Sequence, residues 1–197
     1  MPTLAKHQSS DFTKLLLIGD SKSGKTGALA SLVLAGYKLR ILDFDNGLDA
    51  LAQVVRRAEK SELLENVEFR TLRDAGVGSP LGSIIPKATA FIEGLKLLDH
   101  WKYDGVDLGK PSEWGREAIL VVDSRTFMSD AAFAFREPLV PRSKDGKYDQ
   151  RAVYKDAQDA VESVLALLTS ESFRANVIVI SHVRYVENPD GTKKGYP

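Results

Sequence analysis

The hydrophobic positions of this chain gather into short unbroken runs separated by stretches of mixed or helical spacing. Leu15-Leu16-Leu17-Ile18 is the first run, and an apolar run without alternation predicts a strand covered on both faces. A glycine-rich turn, Gly19 to Gly24, follows. An Ala- and Leu-rich stretch from about Lys25 to Leu34 predicts a helix that Gly36 closes. Lys38-Leu39-Arg40-Ile41-Leu42-Asp43-Phe44 predicts the next strand, so the order is strand–helix–strand, which favours a parallel sheet with right-handed crossovers.

Further along, a charged helix is expected from about Leu48 to Leu64 and a short strand at Val67 to Arg70. The stretch from Asp74 to Pro86, rich in glycine and proline, predicts a loop, and a helix is expected from about Lys87 to Trp101. Tyr103 to Gly115 reads as a glycine-rich surface loop. Ala118-Ile119-Leu120-Val121-Val122-Asp123 is the most hydrophobic strand. No element is assigned between Ser124 and Arg136, and Glu137 to Gln150 reads as a long exposed loop. In the helix from about Arg151 to Thr169, Ala157, Val161, Val164, Leu165 and Leu168 form one stripe. Val177 to Ser181 predicts another buried strand. In the tail, Asn188-Pro189-Asp190-Gly191 predicts a hairpin turn between two short strands. The class is α/β.

Composition narrows this picture only a little. At 197 residues the chain has room for one core, with an extension at 1–12 ahead of a domain at 13–197. It has no cysteine, which removes disulfides, thiolate metal sites and cysteine nucleophiles from consideration. Lys plus Arg and Asp plus Glu both number 27, so no global positive field holds nucleic acid, and any such contact must come from local basic loops or several subunits. No stretch resembles a signal peptide or is long enough to span a bilayer, and a cytoplasmic location is expected.

The chemistry begins at Gly19-Asp20-Ser21-Lys22-Ser23-Gly24-Lys25-Thr26, which fits G-x-x-x-x-G-K-[ST] without a gap. Glycines let such a loop curl until its backbone N–H groups face phosphate oxygens, and the following helix adds its positive end. Lys25 is expected to reach the β- and γ-phosphates of ATP, and the Thr26 hydroxyl to ligate Mg2+. A chance match in a surface turn is the alternative. The flanking strand and helix favour the phosphate cradle, and the absence of G-x-G-x-x-G at this turn disfavours dinucleotides.

Asp123, ending its strand beside Ser124, is the expected second metal-holding carboxylate, although many strands end in Asp as a turn residue. Asp43 and Asp45 lie two apart at another strand end. They either share one cleft, where one orients or deprotonates the attacking water, or form an acidic turn before Asn46-Gly47.

Together the cradle, Leu42-Asp43-Phe44-Asp45 with Gly47-Leu48-Asp49, Asp123-Ser124 and Ile178-Val179-Ile180-Ser181-His182 resemble the RecA-type recombinase ATPases. The closest likeness is to compact phage-encoded members acting in single-strand annealing or recombination. The resemblance implies a RecA-like P-loop core, a mostly parallel sheet flanked by helices. It implies Asp45 as the residue that activates water, where the family more often has glutamate. It further implies His182 as the γ-phosphate sensor, the alternative being a structural histidine at a strand end.

Family loops that touch single-stranded DNA correspond to the segment carrying Arg136, Arg142, Lys144, Lys147, Tyr148 and Arg151, and to the segment after His182. Basic and aromatic residues together suit backbone tracking and base stacking, though a charged loop is also what plain solvation produces. Arg184, Lys193 and Lys194 correspond to residues that reach a neighbour's γ-phosphate, the alternative being lysines that block edge pairing on a solvent-facing hairpin. Cores of the family usually continue through further strands after the point matching Tyr196, which implies that the domain is truncated or lacks its last strands.

The function expected on these grounds is an Mg-dependent ATPase that assembles as a ring or filament on single-stranded DNA. Its implied location is the cytoplasm of a bacterial or phage-infected cell, and a single-strand DNA-binding protein is a candidate partner. The alternative is a RecA-fold motor or a regulatory or assembly ATPase independent of DNA. A small-molecule kinase is disfavoured, because the arginines do not cluster after a helix as a lid would need.

Overall fold

The structure, a computed structural model, describes residues 11–74, 88–141, 149–187 and 193–196. Strand β1 (Lys14–Gly19) runs into the cradle. Two short helices follow, α1 (Lys25–Ala28) and α2 (Ala30–Leu34), and then β2 (Lys38–Asp43). After α3 (Asp49–Arg57) and a 3-10 segment (Ser61–Asn66) comes β3 (Val67–Thr71). Then α4 (Ala90–Asp99) leads into a small hairpin, β4 (Lys102–Tyr103) with β5 (Val106–Asp107). The second half comprises β6 (Gly115–Asp123), α5 (Arg125–Arg136), α6 (Gln150–Thr169), β7 (Ala175–His182) and a terminal antiparallel pair, β8 (Arg184–Glu187) with β9 (Lys193–Tyr196).

The α/β class and the parallel sheet stand as the hydrophobic pattern predicts. Five strands pair in the order β1-β7-β6-β2-β3, every pairing parallel. Their side chains alternate between two cores. Leu42, Leu120, Val122, Val177 and Val179 pack against α4, α5 and α6, whereas Leu39, Ile41, Val121, Ile178 and Ile180 pack against α2 and α3. The central strands are sealed: Ile41, Leu42, Leu120, Val121 and Val122 have no exposed surface.

Several local expectations change in three dimensions. β1 is not covered on both faces: among the described residues it pairs with β7 alone, and Leu15, Leu16 and Ile18 are 43%, 51% and 49% exposed. An apolar run reports strand character, and it does not report position within the sheet. The expected helix from Lys25 to Leu34 is split at Leu29, and the one from Leu48 to Leu64 ends at Arg57 before the 3-10 segment. Glu59, just past that end, has φ 57, a left-handed backbone that closes an α-helix.

The expected surface loop from Tyr103 to Gly115 instead folds into the hairpin and packs inward. Trp101 is fully buried, its ring meets Trp114 edge-on at 5.4 Å, and Trp114 Nε1 donates to the Leu108 carbonyl at 2.7 Å. The unassigned stretch after Ser124 is a helix, α5, whose Met128 and Ala132 join the core. The predicted turn at Asn188–Gly191 lies outside the described residues, but the two strands it would join do pair. Among the described residues, no helix is long and apolar enough to cross a membrane.

Candidate nucleotide and metal site

Parallel strands bring their C-terminal ends to one edge of a sheet, where short loops expose polar groups together. In this sheet that edge carries Gly19, Asp43, Asp123 and His182. The register places Gly19 beside His182 and Asp43 beside Asp123. Residues far apart in sequence thereby meet in one small volume.

The cradle curls as its glycines predict. Gly24 has φ 89, and Lys22 also sits in the left-handed region at φ 63. A side chain at Gly19 would meet Ser23 Oγ at 3.0 Å, so the turn closes too tightly there for a Cβ without displacement. Lys25 lies across the loop. Its ammonium donates to the carbonyls of Gly19 at 2.9 Å and Asp20 at 2.6 Å, with Ser23 Oγ at 3.3 Å and His182 Nδ1 at 3.4 Å.

Asp123 is completely buried. Its Oδ2 accepts the Thr26 hydroxyl at 2.7 Å, while its Oδ1 is buried and has no hydrogen-bond partner among the described residues. Burial pushes its carboxyl up to about 6, reinforced by the nearby Asp45 and Asp43 and opposed by the Thr26 bond and His182. A carboxylate oxygen left bare in such a place costs free energy unless a cation meets it. Asp45, Asp123 and His182 each offer a ligand atom, all within 4.8 Å of one another. With the Thr26 hydroxyl adjacent, the two carboxylates supply oxygen donors that fit a hard divalent ion such as Mg2+, whereas the His182 nitrogens face Lys25 and Asp45. The Asp123–Ser124 peptide is cis.

Asp43 and Asp45 do not share one task. Asp43 turns back into the protein, where it accepts from the Asn46 amide at 2.7 Å and the Thr71 hydroxyl at 3.1 Å. Burial raises its pKa against those bonds. It therefore shapes the turn, as the acidic-turn alternative holds for this residue. Asp45 faces the cleft, with Oδ2 at 3.1 Å from His182 Nε2. An ammonium can only donate, so His182 Nδ1 is the acceptor toward Lys25, which places the ring proton on Nε2, toward Asp45. Lys25, His182 and Asp45 thus form one chain of polar contacts.

Neighbours that the sequence did not single out hold this chain in place. Thr126, in the first turn of α5, accepts from the His182 amide at 2.9 Å, and the Phe127 ring meets the imidazole edge-on at 5.8 Å. The Asp123 carbonyl accepts from both Phe44 N and Asp45 N, at 2.6 and 3.1 Å, which sets the backbone of Asp45. Tyr185 donates to Asp20 at 2.9 Å, joining β8 to the cradle. The spacing Asp123-x-x-Thr126 across a strand end and a helix start was the available signal for Thr126. Tyr185 left none.

The expected nucleic-acid and intersubunit residues are placed less uniformly. Arg136 ends α5 half-buried, its guanidinium over the Phe135 ring and its Nε shielded with no hydrogen-bond partner among the described residues, and it does not stand out in a loop. Arg151 is exposed in the first turn of α6. Arg142, Lys144, Lys147 and Tyr148 lie outside the described residues, as do the side chains of Lys193 and Lys194. Arg184 grips both carboxylate oxygens of Asp130 in its own chain, at 3.0 and 2.5 Å.

Among curated proteins none matches this chain. Compared with models of protein families, residues 11–197 match the AAA domain, a type of P-loop ATPase. That match carries nucleotide binding by a P-loop ATPase and does not reach the finer recombinase likeness. Nearly the whole chain lies within it, and its cradle and acidic strand ends lie where a P-loop ATPase requires them, so the chain belongs to the AAA domain family.

Proposed function

We propose that this protein is a Mg-dependent ATPase that assembles on single-stranded DNA, in strand annealing or recombination of the kind phages encode. The observation carrying the catalytic half is the polar chain Lys25–His182–Asp45 set beside the Thr26–Asp123 pair. Lys25 exchanges its carbonyl partners for β- and γ-phosphate oxygens when ATP enters the cradle. Thr26 and Asp123 hold magnesium, which supplies charge neutralisation at the phosphates when bound. Asp45 orients and deprotonates the attacking water, and His182 fixes the direction of that carboxylate through Nε2 and senses the γ-phosphate through Lys25, the ammonium that faces its Nδ1.

The DNA half is supported by the likeness to recombinase ATPases and by the cationic residues around the start of α6, with Arg151 exposed there. Self-association as a ring or filament, in which several subunits share one strand, belongs to the same reading. So do the intersubunit roles of Lys193 and Lys194, a single-strand DNA-binding protein as partner and action in the cytoplasm of a bacterial or phage-infected cell. Arg184 serves that role only after exchanging Asp130 for a neighbour's phosphate.

The test is ATP hydrolysis by the purified protein with and without single-stranded DNA, at low and moderate salt. Stimulation that weakens as salt rises is the expected result. Hydrolysis indifferent to DNA at both salt concentrations leaves the ATPase and rejects the strand, in favour of a regulatory, assembly or motor ATPase.

A further inference from the structure

The cradle is held from outside as well as by its own lysine. The chain after His182 runs beside the loop's first residues, where Val183 N donates to the Gly19 carbonyl at 3.2 Å. Two residues on, Tyr185 reaches across 165 positions of sequence to donate its hydroxyl to Asp20 Oδ1 at 2.9 Å. The carbonyls of Gly19 and Asp20 are the two on which the Lys25 ammonium closes. An exposed tyrosine that pivots freely makes a poor brace, because ordering it costs rotamer freedom. Tyr185 is 59% exposed, yet its ring is seated. In the β8–β9 register it faces Gly195, where a Cβ would come within 3.2 Å of the ring and 2.9 Å of Val183 Cγ1. Glycine at that position leaves room for the ring against the β9 backbone.

The brace acts when nucleotide is bound. Lys25 then leaves the Gly19 and Asp20 carbonyls for phosphate oxygens, and the loop loses the bonds that close it when empty. The start of the loop keeps Ser23 N on the Asp20 carbonyl at 3.2 Å, Val183 N on the Gly19 carbonyl, and the Tyr185 bond. Of these three, only the Tyr185 bond is made to a charged group, and such bonds are roughly twice as strong as neutral ones. It also fixes the direction of a carboxylate on the loop that seats the phosphates, where one swinging freely would repel them.

We infer that Tyr185 is a positioning residue for the nucleotide: its hydroxyl holds Asp20, and with it the first turn of the cradle, in the shape that receives phosphates once Lys25 has turned to them. The inference rests on the nucleotide half of the proposed function and adds a determinant of affinity from outside the cradle sequence. Tyr185 acts through Asp20 and takes no part in the cleavage step.

The experiment is a double-mutant cycle on the full chain, read by calorimetry with Mg2+ and a non-hydrolysable ATP analogue and by steady-state ATP hydrolysis. Tyr185→Phe, which keeps the ring over Gly195, is expected to weaken affinity by about 2- to 10-fold, the range for one net hydrogen bond. KM should rise while kcat stays within about two-fold of the parent, because the loop holds ground and transition states alike. In an Asp20→Ala background Tyr185→Phe should change nothing, since its partner is gone. In an Asp20→Asn background, whose amide oxygen still accepts the hydroxyl, it should still weaken binding. Thermal melts without nucleotide check that each variant folds. If Tyr185→Phe does not fold, the Asp20 variants read the same bond from its other end: both lack the charge, and Asp20→Ala should bind more weakly than Asp20→Asn. Parent affinity in Tyr185→Phe, an equal loss in the Asp20→Ala background, or equal affinities of the two Asp20 variants overturns the brace and leaves the cradle standing. A parent that binds no analogue overturns both.

Discussion

The hydroxyl of Thr26 donates to Oδ2 of Asp123 across 2.7 Å, joining the start of α1 to the end of β6 over 97 positions of sequence. One carboxylate oxygen is thereby engaged, and the other, buried and bare, marks where a cation fits. Around this pair, the cradle lysine, the cleft carboxylate and the histidine have separable effects on binding and turnover.

Removing the cradle's ammonium takes away at least two charge-assisted hydrogen bonds to phosphate, each worth about 1.5–3 kcal/mol. Lys25→Ala should therefore lower ATP affinity by at least about 100-fold in calorimetry. Affinity equal to that of the parent would reject the cradle.

Asp45 faces the cleft and stands apart from the cradle loop itself. Asp45→Asn should keep nucleotide affinity within a few-fold and lower turnover by about 100- to 10,000-fold, the usual worth of a positioned base. Undiminished steady-state hydrolysis in that variant assigns the water to another residue.

His182 touches both Lys25 and Asp45 through its two ring nitrogens. His182→Ala should lower kcat by about 10- to 100-fold with a smaller effect on KM, because the imidazole aligns the base and contributes little ground-state affinity. His182→Gln, whose amide can still donate to Asp45, should recover part of the loss. Equal loss in both variants, with matching losses in melting temperature, points to a purely structural histidine.

The raised carboxyl of Asp123 sets a pH dependence for the protein without nucleotide and metal. Its folded pKa, about 6, lies above the ordinary aspartate value of 3.8. The folded state therefore keeps the proton longer, and this group's contribution to stability falls as pH rises from near 4 to near 6, then stays flat. The shift corresponds to an upper figure of about 3 kcal/mol. Asp123→Asn should remove that dependence, melting higher than the parent at pH 7.5 and close to it at pH 4. It should also weaken Mg2+–nucleotide binding. A variant that melts lower at pH 7.5 contradicts the assignment of a costly buried carboxylate.

Trp101 joins α4 to the small hairpin and has no exposed surface. Trp101→Ala should destabilise by about 3–5 kcal/mol in denaturant unfolding, as for other buried tryptophans. A loss under about 1 kcal/mol would show that the segment after it is the plain surface loop its glycines suggested.

Much of the site was legible because its chemistry is local. The cradle needs adjacent residues with small side chains and a lysine at one spacing, and Gly19 to Thr26 carry that pattern in eight consecutive positions. Strands were legible too, since unbroken apolar runs mark them, and in Ile119 to Val122 successive side chains do reach both cores. The likeness of Asp123 and Asp45 to metal- and water-holding residues came from the way their strands end.

Other features depend on distance in space. Nothing in the run Leu15 to Ile18 distinguishes an edge strand from a central one, because that is decided by which strands lie beside it. The partition of Asp43 to the turn and Asp45 to the cleft turns on Thr71 and His182, supplied by two other strands. Thr126 under His182, Tyr185 on Asp20 and Tyr154 on Phe133 likewise join separate elements. The sequence by itself determined the strands of the sheet and the cradle, because propensity, periodicity and turn chemistry act between near neighbours. Only the tertiary structure decided which side chains meet at the sheet's edge, because strand order and register sum over the packing of the whole chain.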